Sequence, residues 1–158
     1  MENTTRKTFF NLYSDGACSG NPGIGGYACI IKTKDSDPIE LMGGKLVTTN
    51  NQMELLGVIV GLEYIDNTFI GEKEITVTTD SQYVCKAFNE RWIDNWQMNG
   101  WKTSGGKPVA NKDLWERLLS AMGNNTVKFE WVKGHNGHKE NERCDKLAVM
   151  QINILKSR

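Results

Sequence analysis

The amino-acid sequence predicts an α/β fold: a mixed five-stranded sheet, three antiparallel strands continued by two parallel ones, with helices on both faces. Three observations carry this expectation. Before residue 50, three apolar, strand-like runs are joined by short turns, the pattern of an antiparallel meander. Beyond it, helical and strand-like segments alternate, which implies right-handed crossovers and parallel pairing. The chain has 158 residues, enough for one substantial core, and 1–158 reads as a single domain without repeats, low-complexity runs or linkers.

In chain order, Thr8–Ser14 alternates, with Phe10, Leu12 and Ser14 on one side and Phe9, Asn11 and Tyr13 on the other. Residues 16–26 are dense in Gly, Asn and Pro and read as turn chemistry. Tyr27–Lys34 is the second strand, residues 35–38 a turn, and Ile39–Val47 the third strand. Thr49 and Gln52 have the spacing of a capping box and open a helix running to about Ile65. Leu55, Ile59 and Leu62 lie on one part of it and Met53, Leu56 and Val60 on another, so burial is expected on most sides. Glu54 lies in its first turn. Gly57 and Gly61 share that face and allow the helix to lie close to the sheet, despite their cost to helix propensity.

Glu74–Thr79 is a fourth strand that delivers Asp80 at its C-terminal end, and Ser81–Asn89 is a short helix. Arg91–Asn111 has no clear period; it holds Trp92, Trp96 and Trp101 with Lys102, Lys107 and a Ser104-Gly105-Gly106 loop. Asn111 is placed to cap the next helix, in which Leu114, Trp115, Leu118, Leu119 and Met122 recur, and Gly123 ends it. Val127–Lys133 is the fifth strand. A glycine-flanked loop, 134–138, precedes a last helix from about Glu140, with Leu147, Ala148, Ile152 and Leu155 apolar.

Composition narrows the function classes. Its longest apolar runs fall far short of a membrane span, and no apolar segment of signal-peptide type follows Met1–Lys7. Cys18, Cys29, Cys85 and Cys144 lack CxxC spacing and read as reduced thiols, so a cytoplasmic location is expected. Net charge is zero, yet residues 1–85 sum to −5 and 86–158 to +5, which points to a cationic surface built by the second half.

The acids point to chemistry. Asp15 closes a strand-like apolar run, where a buried carboxylate is costly unless paired. Glu54, Asp80 and Asp145 each stand near the start or end of a predicted element, and the C-terminal edge of parallel strands is the usual place for a site. Singly, each acid has a plain reading as turn residue, helix-start charge, cap or solvated acid. Together they would raise one another's proton affinity and call for a cation. Mg²⁺ favours oxygen ligands and contacts a few carboxylates plus substrate phosphate. Two such ions, ~4 Å apart, activate water and stabilise a leaving oxygen in phosphodiester cleavage.

Tyr13-Ser14-Asp15-Gly16, Ser19-Gly20-Asn21-Pro22-Gly23, Thr48-Thr49-Asn50-Asn51, Met53-Glu54-Leu55, Thr79-Asp80-Ser81-Gln82-Tyr83-Val84, Val132-Lys133-Gly134-His135 and Asn141-Glu142-Arg143-Cys144-Asp145 together resemble bacterial type 1 ribonuclease H. The likeness runs in the same order over nearly the whole chain and includes the tryptophan-rich insertion. It implies a ribonuclease H-like fold and metal-dependent endonucleolytic hydrolysis of the RNA strand of RNA–DNA hybrids by two metal ions, leaving 3′-hydroxyl and 5′-phosphate ends. It implies Asp15, Glu54, Asp80 and Asp145 as catalytic metal ligands for two Mg²⁺ ions, Mn²⁺ substituting. His135 is implied as an aid to proton movement or product departure.

For the substrate, the resemblance implies contacts from Gly16, Cys18, Asn21, Asn51 and Gln82 along the RNA strand, which is told from DNA by its 2′-hydroxyl. It implies a DNA-phosphate pocket from Thr49 and Asn111, and a basic protrusion at about 91–112 with Trp92 and Lys102 against the DNA strand. Trp92, Trp96 and Trp101 also read as a small local core for that protrusion. A monomer is expected.

Other readings are weaker. A zinc site from His135, His138 and Cys144 lacks a fourth ligand. Residues 20–26 lack the Gly-Lys-Ser/Thr ending of a nucleotide loop. A hybrid-binding module without catalysis, or another nuclease or strand-transfer enzyme of the same fold, stays open; the four acids oppose the first and the insertion opposes the second.

Some positions depart from the family pattern. Gln97-Met98-Asn99 stands where bacterial relatives commonly carry several cations, and Val47, Gln52 and Ala110 stand where Arg, Arg and Lys are frequent. Hybrid binding is therefore expected to be weaker and less salt-dependent than in more basic relatives. A titration of hybrid affinity against salt measures this; a log–log slope as steep as many phosphate contacts require would refute it.

Overall fold

The computed structural model describes residues 7–134 and 137–158. Five strands, β1 (Thr8–Ser19), β2 (Gly23–Thr33), β3 (Ile39–Thr48), β4 (Lys73–Thr79) and β5 (Thr126–Trp131), form one sheet in the order β3-β2-β1-β4-β5. β1 pairs antiparallel with β2, β2 with β3 likewise, and β1–β4 and β4–β5 are parallel. The expected mixed sheet is present, with β1 at its centre.

The hairpin differs from expectation. Residues 16–26 are not mainly a turn, because β1 runs on past Asp15 to Ser19 and Asp15 faces Ala28 in register. The glycines there serve close approach instead. A Cβ on Gly16 would lie 2.4 Å from the Met53 carbonyl carbon, and one on Gly26 would lie 2.2 Å from the Ala148 carbonyl oxygen.

Five helices flank the sheet: α1 (Asn50–Thr68), α2 (Gln82–Asn89), α3 (Trp92–Asn99), α4 (Lys112–Met122) and α5 (Lys139–Lys156). α1 packs on β1 and β2, burying Leu55, Val58, Ile59, Leu62 and Ile65 against Phe10, Leu12, Cys29 and Ile31. A fully buried Leu gains about 1.5–3 kcal/mol from leaving water, so this face dominates the core. Thr49 Oγ1 accepts the Gln52 N–H at 3.2 Å. The reciprocal half of the capping box is not made, because the Gln52 side chain bonds Thr48 and Asn111. The other sheet face carries α5, with Cys144 and Leu147 against Ala28 and Ile30. Among the described residues, no helix is long and apolar enough to cross a membrane.

α3 lies inside the segment without a clear sequence period. Arg91 before it is left-handed, with φ 62°, and makes no side-chain cap, so no local start signal announces it. Aromatic packing sustains it: Trp96 lies 6.2 Å from Trp92, 6.0 Å from Trp101 and 5.6 Å from Trp115, between ring centroids. The expected local tryptophan core is there. Asn111, expected to cap α4, occupies the cap position with φ 62° but makes no side-chain cap bond.

Gly26→Ala would force α5 off the sheet, since the clash is with helix backbone. Overpacking of this kind costs about 1–3 kcal/mol. A matching loss in urea unfolding is expected, and unchanged stability would show that α5 is not held at this spacing.

Candidate active site

Three elements bring acids to the C-terminal edge of the central strands. Asp15 comes from within β1, Glu54 from the first turns of α1, and Asp80 from the residue after β4. One carboxylate oxygen from each lies within 4.8 Å of the others. Asp15 and Glu54 are both 6 % exposed, so this is a buried cluster of like charges.

The cluster is held by its frame. Gly16 lets β1 touch the backbone at Met53 and Glu54, which no side chain would permit. Gly57, one turn further, brings α1 against the Asp15 and Ala28 carbonyls. Thr79 Oγ1 accepts the Ser81 N–H at 3.1 Å, Ser81 Oγ caps α2 through Val84, and Trp131 Nε1 donates to the Asp80 carbonyl at 2.9 Å. Trp131 carries no signal of this role in the sequence, where it lies inside the predicted strand Val127–Lys133. Gly134 leaves room for Asp80, whose Oδ2 would meet a Cβ there at 2.6 Å.

Burial raises the Asp15 carboxyl first of all, and the Asp80 charge adds to it; only the Gly16 N–H, donated at 2.9 Å, works in the other direction. The result is an Asp15 pushed up to about 8. Glu54 is raised well above its usual range, by burial and then by Asp15 and Asp80. Glu54 Oε1 and Asp80 Oδ1 are buried with no hydrogen-bond partner among the described residues. Carboxylate oxygens that are close, buried and unpaired suit a hard divalent cation, which takes oxygen ligands. The residues fit such an ion.

Asp145, on α5, stands outside this group of three but near enough for its charge to raise Asp15. α5 is anchored there by His138 Nδ1, which accepts the Asn141 N–H at 3.4 Å, and by Asn141 Nδ2, which donates to the Ser14 carbonyl at 3.4 Å. Asn141 stood in the sequence only as part of a motif. His135 lies outside the described residues. The zinc alternative gains nothing: Cys144 is buried, its thiol turned to the Tyr13 carbonyl and raised by burial.

The residues expected to touch substrate lie on several elements. Cys18 Sγ is shared between the Thr48 and Gly23 carbonyls at 3.4 and 3.6 Å. Asn21, at the hairpin tip, accepts the Asn50 N–H at 3.0 Å, and Asn51 and Gln82 are exposed in the first turns of α1 and α2. Trp92 and Lys102 line an open cavity of about 720 Å³ on the tryptophan-rich segment, together with Asn95, Trp96, Met98 and Asn99. Thr49 is engaged as the α1 cap, and Asn111 bonds Gln52 and Tyr83.

Comparison with known proteins adds a family. A family model described as RNase H matches residues 7–153. A curated protein of Oleidesulfovibrio alaskensis named Ribonuclease H is 50% identical over 138 residues, covering 87% of this chain and 86% of that one. The crystal structure of LC9-RNase H1, a type 1 RNase H with the type 2 active-site motif, superposes with a TM-score of 0.83 at 28% identity, over 96% of this chain and 75% of that one. LC11-RNase H1 in complex with RNA/DNA hybrid shares the fold, with a TM-score of 0.69 at 20% identity, over 92% and 98% of the two chains.

The raised carboxyls give a pH dependence of definite sign. The folded state keeps a proton on Asp15 to about 8, whereas the unfolded chain releases it near the ordinary 3.8. The stability tied to Asp15 is thus complete below that ordinary value and is lost as pH rises through about 8. In chelator, calorimetry from acid to mildly alkaline pH is expected to show a decline that flattens in Asp15→Asn. Parallel profiles for the two proteins would remove Asp15 from the buried cluster.

Proposed function

Given that the chain belongs to the ribonuclease H family, we propose that it hydrolyses the RNA strand of RNA–DNA hybrids endonucleolytically, with Asp15, Glu54, Asp80 and Asp145 as its metal-binding residues. The observation that carries this reading is the meeting of Asp15, Glu54 and Asp80, with buried, unpaired oxygens on Glu54 and Asp80. Such a group has no use for a fourth acid nearby unless cations join it. Mg²⁺ is the proposed ion, two with substrate, and Mn²⁺ its substitute; when bound, these ions supply water activation and charge stabilisation at the leaving oxygen.

The protein's own part is holding and reading. Asp15, shared between the other acids, keeps the ligand set together from the central strand. The Gly16–Cys18 backbone, Asn51 and Gln82 stand beside the acids, where groups of this kind can hydrogen-bond a 2′-hydroxyl and so choose RNA. Asn21 extends that edge. The segment at 91–112, with Trp92 and Lys102, is the proposed DNA-strand contact, and His135 the proposed proton carrier. The products are a 3′-hydroxyl and a 5′-phosphate. The four free cysteines support a reducing, cytoplasmic setting, and 1–158 is read as one domain working as a monomer.

Incubation of a labelled hybrid with Mg²⁺ or Mn²⁺, followed by sequencing of product ends, tests the reading. Cleavage is expected only in the RNA strand of the hybrid, not in duplex RNA, duplex DNA or branched DNA. Asp15→Asn is expected to fold normally and lose activity by about a hundredfold or more, the scale for removing a transition-state stabiliser. Near-normal turnover in that variant would reject the assignment.

A further inference from the structure

Asp80 differs from the other two acids in how it is carried. Asp15 lies within β1 and accepts the Gly16 N–H at 2.9 Å, and Glu54 lies within α1. Asp80 is a single residue between the end of β4 at Thr79 and the Ser81 cap of α2. Its Oδ1 is buried with no hydrogen-bond partner among the described residues, and its charge and those of Asp15 and Glu54 oppose one another. A carboxylate pushed by like charges keeps its place only as far as its backbone is held.

The grip on that backbone comes from the end of β5. Trp131 donates its Nε1–H to the Asp80 carbonyl at 2.9 Å, and the Val132 N–H donates to the Thr79 carbonyl at 3.0 Å. Two successive carbonyls are thus tied to two successive residues. Asn89 adds a tie at the far end of α2, from its Nδ2 to the Phe129 carbonyl at 3.0 Å. Gly134 then faces the carboxylate itself, since a Cβ there would lie 2.6 Å from Asp80 Oδ2. The Trp131 ring does not serve the core: it is 45 % exposed, beside a shallow cavity of about 190 Å³ lined also by Gln82, Cys85 and Lys86.

The inference rests on the metal-dependent, hybrid-cleaving reading above. We propose that Trp131 and Gly134 are positioning residues for Asp80: the indole N–H fixes its backbone, and the missing side chain leaves its carboxylate a place beside Asp15 and Glu54. A metal ligand is only as well placed as the groups that hold it. The two residues act on different parts of Asp80, so they can be tested apart. Trp131→Phe keeps a ring and removes the N–H, which frees the carbonyl. Gly134→Ala sets a methyl group against Oδ2, the end of a flexible side chain that yields at little cost to the fold. That end is also the ligand atom, so its yielding is itself the loss.

Calorimetric titration of the substrate-free protein with Mn²⁺ tests this. Trp131→Phe is expected to raise Kd about three- to tenfold, the effect of losing one hydrogen bond. Gly134→Ala is expected to raise it about tenfold or more, the scale for a displaced ligand. In hybrid cleavage, the Mg²⁺ concentration for half-maximal rate is expected to rise by the same factors, with KM for the hybrid at saturating Mg²⁺ within about twofold of wild type. A merely structural role would instead lower Tm in chelator, where a change under about 2 °C is expected for both variants. Unchanged Mn²⁺ affinity in either folded variant, or a raised KM that excess Mg²⁺ does not restore, would overturn the positioning role while leaving hybrid cleavage standing. A wild-type protein that neither binds Mn²⁺ nor cleaves the hybrid overturns both. Gly134→Ala carries the test should Trp131→Phe fail to fold, and failure of both to fold overturns the proposal in favour of a structural role.

Discussion

The mutual repulsion of three close carboxylates, two of them buried, is the constraint that the rest of this structure accommodates. Two unit charges about 4 Å apart interact by about 4 kcal/mol at an effective dielectric of 20. A whole domain is stable by only about 5–15 kcal/mol. Full ionisation of Asp15, Glu54 and Asp80 would therefore consume much of the stability, and the fold answers with retained protons on Asp15 and Glu54. A proton and a divalent cation are alternatives for the same oxygens. Strain against the acids is thus a consequence of what the site is for.

Holding the acids together requires that they come from rigid elements at very short spacing. β1 is the central strand and is covered on both faces, by α1 and by α5. Glycines set the distances: Gly16, Gly57 and Gly61 admit α1 to β1, and Gly26 admits α5 to β2. A methyl group at Gly16 would meet backbone, which does not yield as a flexible side chain does. The same closeness lets Asn141 reach the Ser14 carbonyl, next in sequence to Asp15. α5 carries Asp145 from the opposite side of the sheet.

Around the tryptophan-rich segment, structure is built from aromatic packing and a chain of polar bonds more than from charge. The tryptophans around Trp96 support a protrusion that is low in cations, and Tyr83 links it to the interior through Trp115 and Asn111. Surface ion pairs such as Arg117–Glu63 and Arg143–Glu40 brace helices to their neighbours but contribute little each, since exposed pairs are worth about 0–1 kcal/mol.

Local rules determined the meander, the Thr49 cap, the close-lying α1 with Gly57 and Gly61, the crossover that puts Asp80 at a strand end, and the motifs that named the family. Each depends on residues a few positions apart, where periodicity and capping chemistry act. Tertiary structure decided the rest. The glycine-rich run became strand because Gly16 and Gly26 are needed where helices press on the sheet, not where the chain turns. α3 formed without a start signal because its Trp96 packs on Trp115 of α4. Asn111 left its helix to join Gln52 and Tyr83, partners 59 and 28 residues away. Such choices depend on groups distant along the chain, and the free energy that selects them exists only once the sheet has brought those groups together.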